Sequence, residues 1–332
     1  MERTFQATRS NLKASIMTKK DSRRGEGFVP VTIEMMEGRC IDPMQDWAFK
    51  RLFSIEKFLI SLLNGLLRFQ DDDIITHIDY APQENQSLEE HGRICRFDIV
   101  CTTQKNENIH IEVQNAHEDY FEDRMLYYSA LSIDKQGKRG EWDYHLHPHY
   151  AIAICGFSLH ENAEELDKYT FYYRLREEDN THDVLTDALT VIIVELDRFM
   201  KTDFECTTIL KKWLYLLRNM HNLKPKEIED MFGDEILREF VDEATFARLS
   251  PDEKISYIKA INDEGARRCR LRREREEGER IGLEKGRAEG LAEGELAGKK
   301  MMARNLLLAG IDIDIIKQSS GLSDEVLREL MQ

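Results

Sequence analysis

Two extended runs, residues 93–103 and 108–116, are separated only by Gln104-Lys105-Asn106-Glu107. A polar tetrapeptide between two β-prone segments predicts an antiparallel hairpin. Centred on Lys105, it pairs residues whose numbers add to 210, which sets Asp98 opposite Glu112. Alternation then puts Ile109, Ile111 and Val113 on one side of the second strand, and His110, Glu112 and Gln114 on the other. Opposed carboxylates, with Cβ atoms about 4.5–5.5 Å apart, repel unless a cation lies between them. Carboxylate and carbonyl oxygens together with water are what Mg²⁺ accepts. The alternative is the plain solvated face of a half-buried strand, and the hairpin alone leaves both open.

The elements around the hairpin narrow the fold. Trp47, Phe49, Leu52 and Phe53, then Phe58, Leu59, Leu62, Leu63, Leu66 and Leu67, recur at helical spacing after Pro43. This predicts two helical segments broken near Ser54. A strand is expected over residues 74–82 and a helix over 118–136, with Phe121, Met125, Tyr128 and Leu131 on one face. The near-continuous apolar run 150–157 reads as a strand buried on both sides, and further strands are expected at 169–175 and 188–196. The order α-β-β-β-α-β followed by more strands describes one α/β domain with a mixed sheet over residues 41–200.

Residues 1–40 read as a mildly basic, loosely ordered leader and 201–264 as a helical extension. From Pro251 a charged helix runs towards Leu308. Within it, over 265–300, glycine recurs every fourth residue at Gly278, Gly282, Gly286, Gly290, Gly294 and Gly298. Six interior glycines cost a helix about 5–6 kcal/mol. The stripe reads either as a groove for a second copy, giving a homodimer, or as a semi-flexible spacer. Residues 301–332 form a small helical tail, with Ser323 capping its last helix.

At 332 residues the chain has room for about two domains. No apolar run approaches the ~20 residues needed to span a bilayer, so no membrane association is expected. No secretory signal is expected either. Net charge is −16, so any nucleic-acid contact must use local basic patches or bound cations. Six cysteines without a CxxC pair predict reduced thiols in a cytoplasmic protein.

In sequence the chain resembles the PD-(D/E)XK nuclease superfamily, and within it the bacterial recombination-promoting nucleases, also labelled transposases. Asp46-Trp47-Ala48-Phe49-Lys50-Arg51-Leu52-Phe53 is similar to that family's opening helix. Asp98 is similar to the acid of its second core strand, and Glu112-Val113-Gln114 to its E-x-Q. Arg124, Tyr128, Gly140-Glu141 and the stretch 144–150 follow the pattern leading into its fourth strand. The resemblance implies a restriction-endonuclease-like core and Mg²⁺-dependent cleavage of DNA, with Mn²⁺ as a second candidate ion. It implies Asp98, Glu112 and Gln114 as catalytic residues. Asp98, Glu112 and the Val113 carbonyl would hold the metal; Asp46 is either a further ligand or simply an acid at its own helix N-terminus. Lys50, Arg124 and Tyr128 would meet the substrate. Gln114 stands where the wider superfamily has lysine, which keeps a second reading open: an inactive nuclease fold serving as an interaction module.

Two other features invite a functional reading. His145, His147 and His149 alternate on one face of an extended segment, and read as surface or substrate-edge histidines rather than a zinc site. Arg267, Arg268, Arg270, Arg272, Arg273 and Arg275 form either a phosphate-binding patch or a salt-bridged helix surface.

Overall fold

The structure is a computed structural model that describes residues 28–330, apart from 83, 86–94, 97, 138–139, 161–166 and 230. The basic leader therefore lies outside the described residues up to position 27. Past it, the Asn262 amide clasps the Val31 backbone from both sides, at 2.7 and 3.0 Å. Cys40 forms an isolated bridge with Thr245 and is wholly buried. Pro30–Asp263 forms one compact unit, and the chain from Glu264 onward belongs to a second.

In the first unit, α1 (Asp46–Phe53) and α2 (Glu56–Leu67) break at Ser54. Then come β1 (Ile78–Tyr80), β2 (Ile99–Thr103), β3 (Asn108–Gln114), α3 (Phe121–Asp134), β4 (His149–Cys155), β5 (Thr170–Arg174) and β6 (Leu189–Glu195). Helices α4 (Ile209–Asn219), α5 (Pro225–Glu229) and α6 (Glu235–Glu243) follow. The six-stranded sheet has the order β1-β2-β3-β4-β6-β5. β2 and β3 are antiparallel with Ile99 opposite Ile111, the register that the turn tetrapeptide implies. β3, β4 and β6 run parallel, with Gln114 level with Cys155 and Cys155 level with Glu195.

The central strand β4 explains the layering. All seven of its residues are buried. Tyr150, Ile152 and Ile154 face the larger core beneath α1, α2 and α4, whereas Ala151, Ala153 and Cys155 face α3. Small residues on that second face let Phe121 and Met125 of α3 settle close to the sheet. Across the larger core, Trp213 packs edge-on to Phe240 at 4.7 Å and donates its indole N–H to Ser61 at 2.9 Å. Gly65 lets α2 approach α4: a Cβ there would stand 3.2 Å from that of Leu210.

Three differences from the sequence reading have physical causes. β1 covers only Ile78–Tyr80 because the Asn64 side-chain amide, not a strand, binds both backbone groups of Ile75, at 2.8 and 2.9 Å. The run expected over 93–103 is interrupted: Cys95–Arg96 pairs with Glu84–Asn85, and the sheet strand starts only after a bend at Asp98. His149 is wholly buried rather than at the surface, its ring 4.6 Å from that of His110.

In the second unit, the helix α7 (Pro251–Leu308), which begins in the first, runs unbroken through all six spaced glycines. None of the six would bring an added Cβ within 4 Å of another group. Its arginines are laced to glutamates, Arg268 to Glu264 at 2.7 Å and Arg275 to Glu279 at 3.1 Å among them. Helices α8 (Ile313–Ser320) and α9 (Asp324–Leu330) close a small core of Ala303, Ile316, Leu322 and Leu327. No helix among the described residues is long and apolar enough to cross a membrane. Cys40, Cys101, Cys155, Cys206 and Cys269 are buried and form no disulfide.

Candidate active site

Asp98 sits at the bend that opens β2. Its N–H donates to the Ile111 carbonyl at 3.1 Å, one residue off the expected register: the ladder ends at Ile99–Ile111, and the bend leaves Asp98 unpaired with Glu112, contrary to the sequence reading. Its Oδ2 accepts the Val113 N–H at 2.7 Å, and its Oδ1 lies 3.1 Å from the Lys50 ammonium. Lys50 reaches Asp46 at 2.5 Å, one helical turn back along α1. The first turn of α1 therefore lies against the Asp98 end of the hairpin.

The other half of the site comes from β3 and α3. Glu112 meets Arg124 at 3.4 Å, and Arg124 also meets Glu118 at 2.8 Å. Gln114 is held at both ends: its Oε1 accepts from Arg124 at 3.3 Å and its Nε2 donates to the Ala116 carbonyl at 2.9 Å. The Arg124 Nε is buried without an acceptor among the described residues. Just beyond, Asn115 donates to the Met44 carbonyl at 2.5 Å, tying the end of β3 to the approach of α1.

Burial makes these acids unusual. Desolvation, the hydrogen bond shared with Asp46 and the charge of Glu112 push Asp98 up to about 8. Desolvation raises Glu112 to about 7, against the pull of Arg124 and Lys50. Asp46 goes the other way: burial opposes ionisation, but Asp98 and Lys50 hold it below the usual carboxylate range. Lys50 is raised, since the neighbouring Asp46 and Asp98 outweigh its burial. Three carboxyls thus converge with one ammonium and one guanidinium, and two of them carry a proton far more readily than an exposed acid would.

Two polar groups, Asp46–Lys50–Asp98–Val113 N–H and Glu112–Arg124–Gln114, adjoin along β3, where Val113 follows Glu112. Tyr128 is placed apart, packed with Leu131 and Ala81 around Val100. Glu118 and Asn115 escaped the sequence reading, although both flank the E-x-Q motif within a few residues. Among the described residues, no three His, Cys, Asp or Glu side chains stand in a ready-made metal-binding group. Lys50 and Arg124 occupy the positions between the acids. The donor set still suits a hard divalent cation, because buried carboxylate oxygens are paired there at the expense of raised proton affinity.

A family model described as PD-(D/E)XK nuclease family transposase matches residues 43–264. No curated protein and no solved structure matches the chain.

Proposed function

The chain belongs to the PD-(D/E)XK nuclease family transposases, and from that premise we propose that it is a divalent-metal-dependent DNA endonuclease. The observation that carries this reading is the nearness of Asp98, buried, and Glu112, largely covered, which Lys50 and Arg124 flank and whose proton affinities are both raised. Asp98, Glu112 and the Val113 carbonyl would hold Mg²⁺ or Mn²⁺, with Asp46 as a further ligand. When bound, such an ion supplies Lewis acidity towards phosphate oxygens and makes water more acidic.

The protein's own side chains divide the remaining work. Lys50 keeps a positive charge beside Asp98, where Gln114 offers none, and is placed to meet a phosphate oxygen once the acids turn to a cation. Arg124, held by Glu112, Glu118 and Gln114, brings a second positive charge towards the substrate. Gln114 positions Arg124 through its carbonyl oxygen and, by its amide, orients the reacting water's surroundings. Buried placement keeps these charges strong, because neighbouring dipoles replace bulk water.

Incubation of supercoiled plasmid with the full chain in Mg²⁺, with Asp98→Ala as control, tests the assignment. Nicking that requires both the ion and Asp98 supports it. DNA binding without nicking would favour the interaction-module reading. We further propose that the protein works in the cytoplasm in recombination or mobile-element activity. The spaced glycines, exposed beside Ile281, Leu283 and Leu291, are proposed to join two copies.

A further inference from the structure

The outer face of α3 carries two aromatic rings that the chemistry above does not use. Tyr120, the residue just before the helix, is 79% exposed, and Tyr127 is 45% exposed. Seven residues bring an α-helix back to nearly the same side, so the two positions share one stripe about 10 Å long. Arg124 lies between them in sequence, and its N–H donates to the Tyr120 carbonyl at 3.0 Å. The buried face of the helix is a different one, made by Phe121, Met125, Ser129 and Ser132.

Tyrosine is an unfavourable residue at position 120. Its φ of 61° lies in the left-handed region, which asparagine or glycine adopts with less strain. It also leaves the first turn of α3 without the side-chain cap that asparagine would supply. Its neighbours fix the conformation. Glu118 is tied to Arg124 at 2.8 Å, and Phe121 is 1% exposed, its ring 5.2 Å from the Arg124 guanidinium. Tyr127 is steadied by the ring of Tyr128 at 6.3 Å, which itself packs beside Val100. Position 120 thus forgoes an easy backbone and a helix cap, and keeps an aromatic ring in water beside the residue that holds Glu112.

The charge around the stripe selects what that ring can receive. Asp119 precedes α3, Glu122 and Asp123 open it and Asp134 ends it, all exposed. These carboxylates oppose a phosphate but not a neutral ring system. A nucleobase is such a ring system, and it stacks on tyrosine whatever the sequence. Paired bases are already stacked on their neighbours, so the stripe fits an unpaired strand.

We propose that Tyr120 and Tyr127 form a stacking platform for unpaired bases of the DNA strand whose phosphate approaches Arg124. The platform rests on the nuclease reading for its substrate, and narrows that substrate to DNA with a single-stranded segment beside the cleavage point. Successive nucleotides of one strand lie about 3.4 Å apart, so the two rings take bases about three steps apart.

The full chain is titrated in Ca²⁺ with a fully paired duplex and with a duplex bearing a short unpaired arm of either polarity. The arm carries 2-aminopurine, whose fluorescence is quenched by stacking, and single-turnover cleavage in Mg²⁺ is followed in parallel. Tyr120→Ala is expected to weaken binding of the armed duplex about tenfold, the scale of one base–aromatic stack, and to abolish the quenching. Binding of the paired duplex and the dependence of Kd on salt should stay as in the wild type, because no phosphate contact is lost. Tyr120→Phe keeps the ring and should keep both signals, while Tyr127→Ala should weaken binding about threefold. Tyr144 is the control: it is also 79% exposed with φ 60°, but it precedes β4 at the end of the sheet level with Asn108, away from Gln114. Tyr144→Ala should change nothing. Wild-type Kd and quenching in Tyr120→Ala, in a chain that cuts, overturn the platform and leave the nuclease reading standing. Equal weakening on paired and armed duplexes overturns it as well. Quenching that depends on Tyr120 in a wild-type chain that never cuts removes the nuclease reading and keeps the platform as a DNA contact.

Discussion

Arg124 and Arg280 each face two glutamates, and their surroundings turn the same pairing into opposite electrostatics. Arg124 lies 2.8 Å from Glu118 and 3.4 Å from Glu112, in a half-covered position over the end of β3. Arg280, on the long helix, lies 2.6 Å from Glu277 and 2.7 Å from Glu284, all in open solvent. Glu277 is held below its ordinary value by the Arg280 hydrogen bond, whereas burial lifts Glu112 to about 7 despite its arginine. Water settles the charges on the helix. In the sheet unit burial leaves the carboxylates under-compensated despite their cationic neighbours. Proton affinity in these two places follows burial, not the count of ion pairs.

The largest expected effect comes from removing the buried acids. Asp98→Ala and Glu112→Ala should each lower metal-dependent nicking by roughly 10³ or more, the scale on which metal and positioned groups act. Matching substitutions on the helix, Glu277→Ala and Glu284→Ala, should leave the rate within about twofold. A plasmid assay on all four variants checks this, and equal losses in the two regions would erase the contrast.

Next comes the support of the arginine. Gln114→Ala should lower the single-turnover rate by roughly 10²-fold, within the range for positioned groups, because Arg124 loses one of its anchors. Gln114→Lys should retain activity. A dead but folded lysine variant would count against a role for Gln114 in the same place as the superfamily lysine.

Stability gives a finer test with its own sign. Asp98 and Glu112 hold protons in the fold up to about 8 and about 7, while the unfolded chain releases them near 3.8 and 4.5. The metal-free fold binds more protons than the unfolded chain across that window, so its stability falls as pH rises from about 4 to about 8. Asp98→Asn should therefore raise the melting temperature at pH 8 by on the order of 5 °C and change it little at pH 4.5. Added Mg²⁺ should raise the wild-type Tm more at pH 8 than at pH 6. Calorimetry showing the opposite pH trend would mean that the acids are solvated in the free protein.

How far the sequence could carry this picture depended on range. The hairpin register was legible because a four-residue turn and strict alternation leave one pairing that buries Ile109 and Ile111. The start of α7 at Pro251 and the break at Ser54 were legible as local signals. Lys50 was recognisable only as a family position. Its spacing to Asp46 could be read, but its contact with Asp98, 48 positions away in the chain, depends on how α1 docks. The contact of buried Glu195 with His160 was invisible for the same reason, since one lies at the end of β6 and the other in a loop 35 positions earlier. The burial of His149 followed from β4 starting one residue earlier than its apolar run suggested.

The smallest expected effect concerns the glycines. Replacing all six with alanine should raise the helicity of the long helix, worth about 5–6 kcal/mol to an isolated helix, without altering cleavage chemistry. If that surface joins two copies, sedimentation equilibrium should show the wild type at twice its chain mass, and the alanine variant and a chain ending at Asn262 each at its own chain mass. Monomeric masses for all three would leave the stretch as a spacer.

The spacing of those glycines also dictates a handedness. Four residues carry an α-helix through about 400°, so each glycine is displaced about 40° around the axis from the one before it. From Gly278 to Gly298 the bare strip winds through about 200°, more like the thread of a screw than a flat track. A straight partner lying alongside would meet it over one or two glycines and then leave it. To follow the whole thread the partner must coil around the helix in a right-handed sense, as repeats longer than 3.6 residues demand. The alternative geometry is a single oblique crossing at about −40°, in which two neighbouring glycines carry nearly all of the contact.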